Sequence, residues 1–384
     1  MPARDGRSKS DSAPALFEQQ DLLVLSAICS EPLGSYDRLS NLAGISVRSL
    51  KRRMMALSAA SILLSVRARV DYSALGLQLT PVLASVPLSK VQVVEKACDL
   101  HPYTRYRIRC LGSTNGLFML FAIPSGTEFQ LNEFFAGLRN LELVANYRIL
   151  HTTAQAVYRN PDFDSYDLNS DTWRFKTEKW SRQLEAPHRD GLEQFVPSHL
   201  TKLDLSDLRL IRLLTEDARQ PQKTLAKELG EPEYHISRRL KFIFENRIVP
   251  GCDVFIGRKL YRFAPAALFE AFCDPDLTAA VATGVKSLPF QTSLFPTADG
   301  FFMMCGLPTH LFTELGNALL QRSKDVKVMW ADYDSSMRYY FDESPYLEKT
   351  RRWKADSEFV IGEPFSKLRG KRVKMSGGDS SIEL

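Results

Sequence analysis

The stretch ISRRLKFIFENRIVPG, residues 236–251, repeats the pattern of LKRRMMALSAASILLS, residues 50–65, at an offset of 186 positions. The same offset continues without a gap on both sides of the arginine pair. The coinciding residues are Asp21/Asp207, Leu39/Leu225, Gly44/Gly230, Arg52/Arg238, Arg53/Arg239 and Ile62/Ile248. Farther along, NGLFMLFAIP at 115–124 matches DGFFMMCGLP at 299–308 with an offset of 184. A repeat of this extent predicts a tandem duplication of one two-part unit.

Composition places the chain among globular proteins. Of its 384 residues, 44% are hydrophobic and 25% are charged, and no apolar run is long enough to cross a membrane. The polar start of the chain lacks the apolar core of a signal peptide, so we expect a cytoplasmic protein without membrane contact. Six cysteines without metal-ligand spacing predict a reducing compartment, no metal site and no cofactor. A net charge of +5 permits nucleic-acid binding.

The repeat divides the chain into segments of an α+β fold, in which a helix-turn-helix precedes a β-α-β-β-α-β domain twice. The predicted segments are a disordered tail (1–16), a first winged helix-turn-helix (17–65), a first ferredoxin-like α/β domain (66–150), a linker with a short helix near 174–186 (151–202), a second winged helix-turn-helix (203–251), a second ferredoxin-like α/β domain (252–335) and a C-terminal extension whose end is disordered (336–384).

The first part of each unit has three helical segments and a glycine turn. Gly44 can adopt the left-handed conformation that ends the second helix, and Ser46 is placed to cap the third. Apolar residues at spacings of three and four leave a basic face exposed on that helix. This pattern is typical of a helix-turn-helix, whose recognition helix enters the DNA major groove. The predicted DNA-binding residues are Ser46, Arg48, Ser49, Lys51, Arg52, Tyr234, His235, Ser237, Arg238 and Lys241.

Arg53 and Arg239 lie nearer the buried stripe, and their role stays open between structural support and contact with phosphate. The alternative for each module is a solvated basic surface or a dimerisation module. Because both copies keep the arginine pair and the glycine turn, the sequence favours DNA binding.

The second part of each unit alternates strands and helices. Asn115-Gly116 and Asp299-Gly300 are hairpin-turn signals between two apolar strands. Two amphipathic helices complete the β-α-β-β-α-β order of the ferredoxin-like unit. Such helices cover one face of the sheet, and the other face needs a partner. The second copy supplies one, which predicts an intramolecular pseudo-dimer.

These motifs resemble the Lrp/AsnC (feast/famine) transcriptional regulators. The stretch LDLSDLRLIRLLTEDARQPQKTLAKELGEPEYHISRRLKFIFENRIV at 203–249 is similar to their winged helix-turn-helix, and CLGSTNGLFMLFAI at 110–123 resembles their hairpin signature. The resemblance implies a regulator that binds double-stranded DNA, assembles into homodimers or larger oligomers, and responds to an amino acid or a related small metabolite. By position, the effector-binding candidates are Gly112, Ser113, Thr114, Asn115, Gly116, Ala298, Asp299 and Gly300. The same residues are also ordinary hairpin formers.

The chain departs from the family pattern at two equivalent positions. The family usually has glycine before the isoleucine that ends the recognition unit, whereas Ser61 and Arg247 stand there. The second copy also places Pro232 at the start of its recognition helix, a position that proline tolerates.

The main alternative is an enzyme on the same scaffold. The resemblance also covers the sirohaem decarboxylases, which process a tetrapyrrole between α/β domains, and His101, Arg105, Arg107 and Arg109 could serve such chemistry. The second copy has no histidine at the matching position, and no catalytic motif occurs elsewhere. We therefore expect no enzyme and no catalytic residues. A third alternative is a protein-binding role with one degenerate helix-turn-helix.

Overall fold

A computed structural model describes residues 18–170, 172–185, 191–257 and 266–369 of the chain. The predicted disordered tail at 1–16 and the last part of the C-terminal extension, beyond residue 369, lie outside these residues. Helices and strands follow the predicted order twice, so the α+β class and the two helix-turn-helix plus ferredoxin-like units are confirmed.

Each unit begins with three helices. They are α1 (Gln19–Ser30), α2 (Tyr36–Ala43) and α3 (Val47–Ala59) in the first copy, and α7 (Leu205–Glu216), α8 (Gln222–Leu229) and α9 (Glu233–Glu245) in the second. Gly44 and Gly230 end α2 and α8 with φ angles of 63° and 68°, the left-handed conformation that glycine adopts without strain. Ser46 caps α3 by accepting a hydrogen bond from the Ser49 N–H at 3.2 Å.

Each helical module is followed by its own strand, β1 or β9, and then by an α/β unit, with the same order of elements in both copies. In the first copy they are β1 (Leu63–Arg69), β2 (Leu77–Ser85), α4 (Val91–Leu100), β3 (Thr104–Gly112), β4 (Gly116–Pro124), α5 (Glu128–Asn140) and β5 (Asn146–Ile149). In the second they are β9 (Gly251–Ile256), β10 (Ala266–Phe272), α10 (Pro275–Val285), β11 (Thr292–Thr297), β12 (Gly300–Cys305), α11 (Thr309–Leu320) and β13 (Asp325–Arg338).

The two units share one nine-stranded sheet, to which the segment between them adds the short strand β6 (Val157–Arg159). The strand order is β5-β2-β4-β3-β13-β10-β12-β11-β6. The long strand β13 pairs with β10 and then with β3 of the other copy. Side chains from both copies form one buried cluster on the face opposite the helices, where the Phe118 and Phe302 rings stack with centroids 4.4 Å apart. The two copies therefore pack as an intramolecular pair, through sheet faces that would otherwise be exposed.

The two helix-turn-helix modules are joined by a second, two-stranded sheet. Strands β1 and β9 pair antiparallel, with Val66 opposite Val254. The modules also exchange partners, because α7–α9 share a hydrophobic core with the first α/β unit and α1–α3 share one with the second. Each helical module is therefore stabilised by the α/β unit of the other copy.

The segment predicted as a linker, 151–202, is instead largely part of the fold. Its strand β6 adds to the edge of β11. A small hairpin of β7 (Tyr166–Asp167) and β8 (Thr172–Trp173) follows, and the predicted short helix is α6 (Thr177–Gln183). The indole of Trp180 in α6 is buried and donates to the Gly284 carbonyl at 3.0 Å. Apart from α6, the elements of this segment are two or three residues long, which explains the absence of periodicity without a lack of order.

The C-terminal extension is also ordered up to residue 369. It contains β14 (Tyr346–Leu347), β15 (Arg352–Trp353) and α12 (Glu363–Arg369). The indole of Trp353 donates to the Leu75 carbonyl at 2.7 Å, which fixes the extension to the first α/β unit. The boundaries predicted at 65/66 and 335/336 are wrong, because β1 and β13 continue across them.

The two departures from the family pattern occupy the same strained conformation. Ser61 and Arg247 follow the recognition helices with φ angles of 56° and 55°, a left-handed geometry that costs a non-glycine residue about 1–2 kcal/mol. The main-chain N–H of the next residue in each case donates back into the helix, to Leu57 and Ile243. The turn is therefore kept by tertiary structure without the glycine that would favour it.

Replacing Ser61 with glycine should raise the free energy of unfolding by about 0.5–1 kcal/mol, because the relief of left-handed strain exceeds the added entropy of the unfolded chain. Chemical denaturation of both proteins measures the difference. The same change at Ser58, an exposed position inside α3, is the matched control and should lower that free energy by a similar amount. A lower stability for Ser61→Gly would contradict the strain argument.

Candidate nucleic-acid interface

The recognition helix of the first copy presents an uninterrupted basic face. Arg48, Lys51 and Arg52 are exposed on α3. Ser49 is half-buried, and the hydroxyl of Ser46 is already used as the helix cap. Of the predicted contact residues in this copy, the three cations are therefore the ones free to reach a phosphate or a base edge.

The recognition helix of the second copy has a mixed face. Its exposed predicted residues are Tyr234, Ser237, Arg238 and Lys241. The Lys241 ammonium lies 3.7 Å from the Glu245 carboxylate. His235 is half-buried, with Nδ1 3.9 Å from Glu231. Tyr234 is 69% exposed, so a large aromatic ring stands at the start of the helix without a role in the core.

The two helices differ in charge. The sequence of α3 has four basic and no acidic residues, whereas α9 has three basic and two acidic residues. Attraction to a polyanion is therefore stronger at α3. The aromatic, hydroxyl and cationic groups of α9 are better suited to contacts that depend on the base.

Arg53 and Arg239 have the same structural role in both copies. Arg53 donates to Asp21 at 2.7 Å and to Gln20 at 2.6 Å. Arg239 donates to Asp207 at 2.7 Å. Each arginine thus links its recognition helix to the first helix of the module. Of the two roles left open by the sequence, structural support and contact with phosphate, the structure favours structural support. The repeat contains the signal for this pairing, because Asp21 and Asp207 coincide at the same offset as the arginines.

Contacts between the modules were not predicted from the sequence. Arg219, in the turn after α7, donates to the carbonyls of Pro32 and Gly34 at 2.6 and 3.1 Å. Its guanidinium also lies 5.5 Å from the ring centroid of Tyr36, and the Lys51 ammonium lies 4.6 Å from the same ring. This cluster and the β1–β9 pair fix one basic face relative to the other. No short-range pattern signals a contact between residues this far apart in the chain.

Comparisons with known proteins identify the repeated unit. No protein-family model matches the chain. It is 26% identical over 103 residues to the HTH-type transcriptional regulator Ptr1 of Methanocaldococcus jannaschii, which covers 27% of this chain and 70% of that protein. It is also 26% identical over 102 residues to the HTH-type transcriptional regulator LrpA of Pyrococcus horikoshii, covering 27% and 72%. Over about a quarter of its length the chain is thus similar in sequence to Lrp-type helix-turn-helix regulators.

The tandem arrangement also occurs in a solved structure. The crystal structure of the siroheme decarboxylase NirDL superimposes with a TM-score of 0.51 and 15% sequence identity, over 91% of this chain and 99% of that one. At this identity the likeness concerns the fold alone. It shows that the arrangement of the two copies in this chain is a known architecture.

The predicted effector residues lie in two hairpin turns, 112–116 and 298–300, in which Gly116 and Gly300 are buried and the tips are exposed. Gly112, Gly116 and Gly300 have φ angles of 141°, 157° and 141°. A side chain on any of them would overlap a carbonyl oxygen of a neighbouring strand. Neither turn lines the two cavities found among the described residues. The close approach of backbones therefore accounts for these glycines, and their contact with an effector stays a prediction.

The four residues considered for decarboxylase chemistry are not brought together. His101 is buried, and burial, with a smaller contribution from Arg105, lowers its pKa to about 3. Its Nδ1 accepts the Tyr103 N–H at 3.2 Å. Arg107 and Arg109 are ion-paired with acidic residues of α4. Arg105 alone lines a cavity.

Metal binding and membrane spanning find no support in the part of the chain that the structure describes. No group of three or more His, Cys, Asp and Glu side chains there could hold a metal ion. No helix there is long and apolar enough to cross a membrane. All six cysteines are buried, and burial raises the pKa of Cys98 and Cys305 to about 12, so these thiols are unreactive.

The support of α9 should depend on pH. Arg239 donates to Glu231 at 2.9 Å, and this hydrogen bond lowers the pKa of Glu231 below its ordinary value of 4.5. A lowered pKa contributes stability above pH 4.5 that is lost as the pH falls through the folded-state value. We expect Glu231→Gln to lower the free energy of unfolding by about 1 kcal/mol at pH 7 and by less near pH 3.

Urea denaturation at both pH values measures this difference. Glu233→Gln is the control, because Glu233 is an exposed acid in the first turn of α9, two residues from Glu231, and its replacement should change stability little. An equal loss of stability at pH 7 and pH 3 for Glu231→Gln would show that the charge of Glu231 is unimportant.

Proposed function

We propose that this protein is a cytoplasmic, sequence-specific transcriptional regulator that binds double-stranded DNA and catalyses no reaction. The observation that carries the proposal is the pair of recognition helices, α3 and α9, each with exposed cations and each held by a partly buried arginine. The regulator names of the Lrp/AsnC-type relatives support it.

The division of charge suggests a division of labour between the two helices. Arg48, Lys51 and Arg52 would contribute mainly affinity, by displacing counterions from phosphates. Tyr234 and Arg238 would contribute base readout from a less basic helix. Because one chain carries both helices, the two half-sites need not be identical, and an asymmetric operator fits this arrangement.

We further propose that the regulator responds to an amino acid or a related small metabolite and associates into homodimers or larger oligomers. The hairpin at 112–116 supports this placement of an effector, because the Ser113 N–H donates to the Val328 carbonyl of the other copy at 3.0 Å. A ligand bound at that turn would contact both α/β units and could alter their relative position.

The test is fluorescence anisotropy of the full chain on labelled DNA from around its own gene, across a salt series. Arg48→Ala/Lys51→Ala/Arg52→Ala should weaken binding at least tenfold and flatten the salt dependence, since phosphate contacts set its slope. Tyr234→Ala/Arg238→Ala should weaken specific binding by about 1–3 kcal/mol for each base-reading side chain that is removed, with a smaller change in slope.

The matched control is Lys176→Ala/Lys179→Ala/Arg182→Ala. It removes three exposed cations at and within α6, outside both helix-turn-helix modules, so net charge falls equally in both triple variants. Equal weakening by this control and by the α3 variant would mean that only overall charge matters. Absence of specific binding in the unmodified chain would refute the regulator.

A second candidate is a siroheme decarboxylase, favoured by the fold shared with NirDL over nearly the whole chain. The side chains that line the cavities argue against this candidate. His101 lines neither cavity, and the larger one, of about 550 Å³, has no histidine among its described lining residues. Its Arg69 and Arg247 are already bound to Asp253 and Glu193.

Titration with iron-uroporphyrin III, followed by absorbance, separates the candidates. We expect no saturable change in the Soret band, because His101 is enclosed in the core and no other described histidine lines either cavity. Saturable binding that is lost in His101→Ala would favour the enzyme. His199→Ala, at a half-buried histidine that lines neither cavity, is the control for a general effect of removing histidine.

A further inference from the structure

A second, smaller cavity lies between the β1–β9 pair and the nine-stranded sheet. Its volume is about 130 Å³, which is enough for several water molecules or one small ring compound. It shares wall residues with the 550 Å³ cavity, among them Arg69, Tyr72 and Tyr158. The function proposed above does not use it.

Arg105 lines this cavity as a buried cation, with its guanidinium 6.0 Å from the Phe341 ring centroid and no acidic partner among the described residues. It is 7% exposed, and its Nη1 donates to the Thr104 carbonyl at 3.1 Å. Its Nε and Nη2 have no hydrogen-bond partner among the described residues. A buried, unpaired guanidinium is costly, whereas a bound anion would satisfy both groups at once.

Arg107, two residues along the same strand, provides the contrast. It is 8% exposed, but it donates to Asp99 at 2.8 Å and pairs with Glu95 at 3.1 Å. The pairing of β3 with β4 shifts register at Arg105. Such an irregularity re-aims a side chain, and here it accompanies the absence of the carboxylate partners that Arg107 and Arg109 have.

The charge of the cavity wall is strongly positive. Five arginines line it, and the one described carboxylate in the wall, Asp253, is already bound to Arg69. Arg338 lies nearby with its guanidinium 4.6 Å from the Tyr106 ring centroid and 5.0 Å from that of Phe255. Stacking uses the face of a guanidinium and leaves its N–H edge available for an anion.

The rest of the wall is aromatic and apolar. Eight of the 23 described lining residues are Tyr or Phe. Leu79, Leu120 and Met304 add an apolar floor. The arginines and rings are interleaved around the cavity. A wall of this kind suits a planar anion with an apolar body, rather than a compact anion such as phosphate.

We propose that this cavity is a binding site for a small aromatic carboxylate, with Arg105 and Arg338 binding the carboxylate and the aromatic wall holding the ring. The described residues form this site in one copy only, because the strand equivalent to β3 in the second copy, β11, has no arginine. It is separate from the hairpin turns considered for the effector.

Occupancy of the site should also affect the DNA-binding modules. Arg67 of β1 and Phe255 of β9 both line the cavity, and these strands join the two modules. This consequence rests on the proposed DNA-binding function, whereas the binding of the carboxylate does not.

The first experiment is isothermal titration of the full chain with benzoate. We expect saturable one-to-one binding, at least tenfold weakening in Arg105→Met, and no change in Arg109→Met, a strand neighbour outside the cavity wall. Benzamide, which has the ring without the charge, and inorganic phosphate, which has charge without the ring, should not saturate. Binding of phosphate as tight as that of benzoate would overturn the aromatic assignment.

Thermal unfolding of the ligand-free variants provides a second readout that does not require binding. Arg105→Met should raise the melting temperature, because it removes an unsatisfied buried charge, whereas Arg107→Met should lower it by leaving two carboxylates unpaired. A lower melting temperature for Arg105→Met, or benzoate binding that is indifferent to Arg105, would overturn the site.

The DNA arm repeats the anisotropy measurement with saturating benzoate. A change of threefold or more in DNA affinity that is absent in Arg105→Met would support the coupling. Benzoate binding without any change in DNA affinity would overturn only the coupling between the cavity and the DNA-binding modules. Failure of the chain to bind DNA at all would refute the proposed regulatory function, and the calorimetric titration would still test the carboxylate site.

Discussion

Each copy contributes four strands to the nine-stranded sheet, and the helix-free faces of these two halves must be kept from water. The other features of the chain depend on how these faces are buried. Each sheet has helices on one side only, and burial of the other side requires a second sheet. The duplicated unit supplies it, with Phe118 stacked on Phe302 at the centre. Once these faces meet, β13 reaches the edge of β3, and β1 comes alongside β9. The position of both recognition helices follows from this one packing.

Exchange of partners between the copies makes the two halves interdependent. The core that contains α7–α9 belongs to the first α/β unit, and the core that contains α1–α3 belongs to the second. Neither unit in sequence is therefore a complete unit in space. The segment between the copies completes the structure, because β6 covers the edge of β11 and the indole of Trp180 binds the backbone of α10. An edge strand left open would be a site for aggregation.

The sequence contained the order of elements and the signal for the ion pairs of Arg53 with Asp21 and of Arg239 with Asp207. The first rests on local periodicity and the second on coincidence within the repeat. It did not show that the segment 151–202 is folded, because a strand as short as Val157–Arg159 is too short for a periodic pattern to be detected. Nor could it show whether a hairpin glycine is needed for effector binding or for close approach of the backbone. At Gly112 the nearby carbonyl of Val328 leaves no room for a side chain, whether or not an effector binds. The contacts of Arg219 were not predicted, and the role of Arg105 was left open. In both cases the role depends on groups that are distant in the chain.

Divergence between the copies is the property that a covalent pair adds to a symmetric dimer. In a homodimer a charge placed on one recognition helix appears on both, and an unpaired arginine in one cavity appears in two. Here α3 is purely basic while α9 carries Glu233 and Glu245, and Arg105 has no counterpart in β11. The shared sheet tolerates these differences because they lie outside the apolar cluster that joins the copies. The residues that pack the two copies together are therefore different from those that distinguish the copies in charge. The recognition helices and the cavity can change while the packing of the two copies is kept.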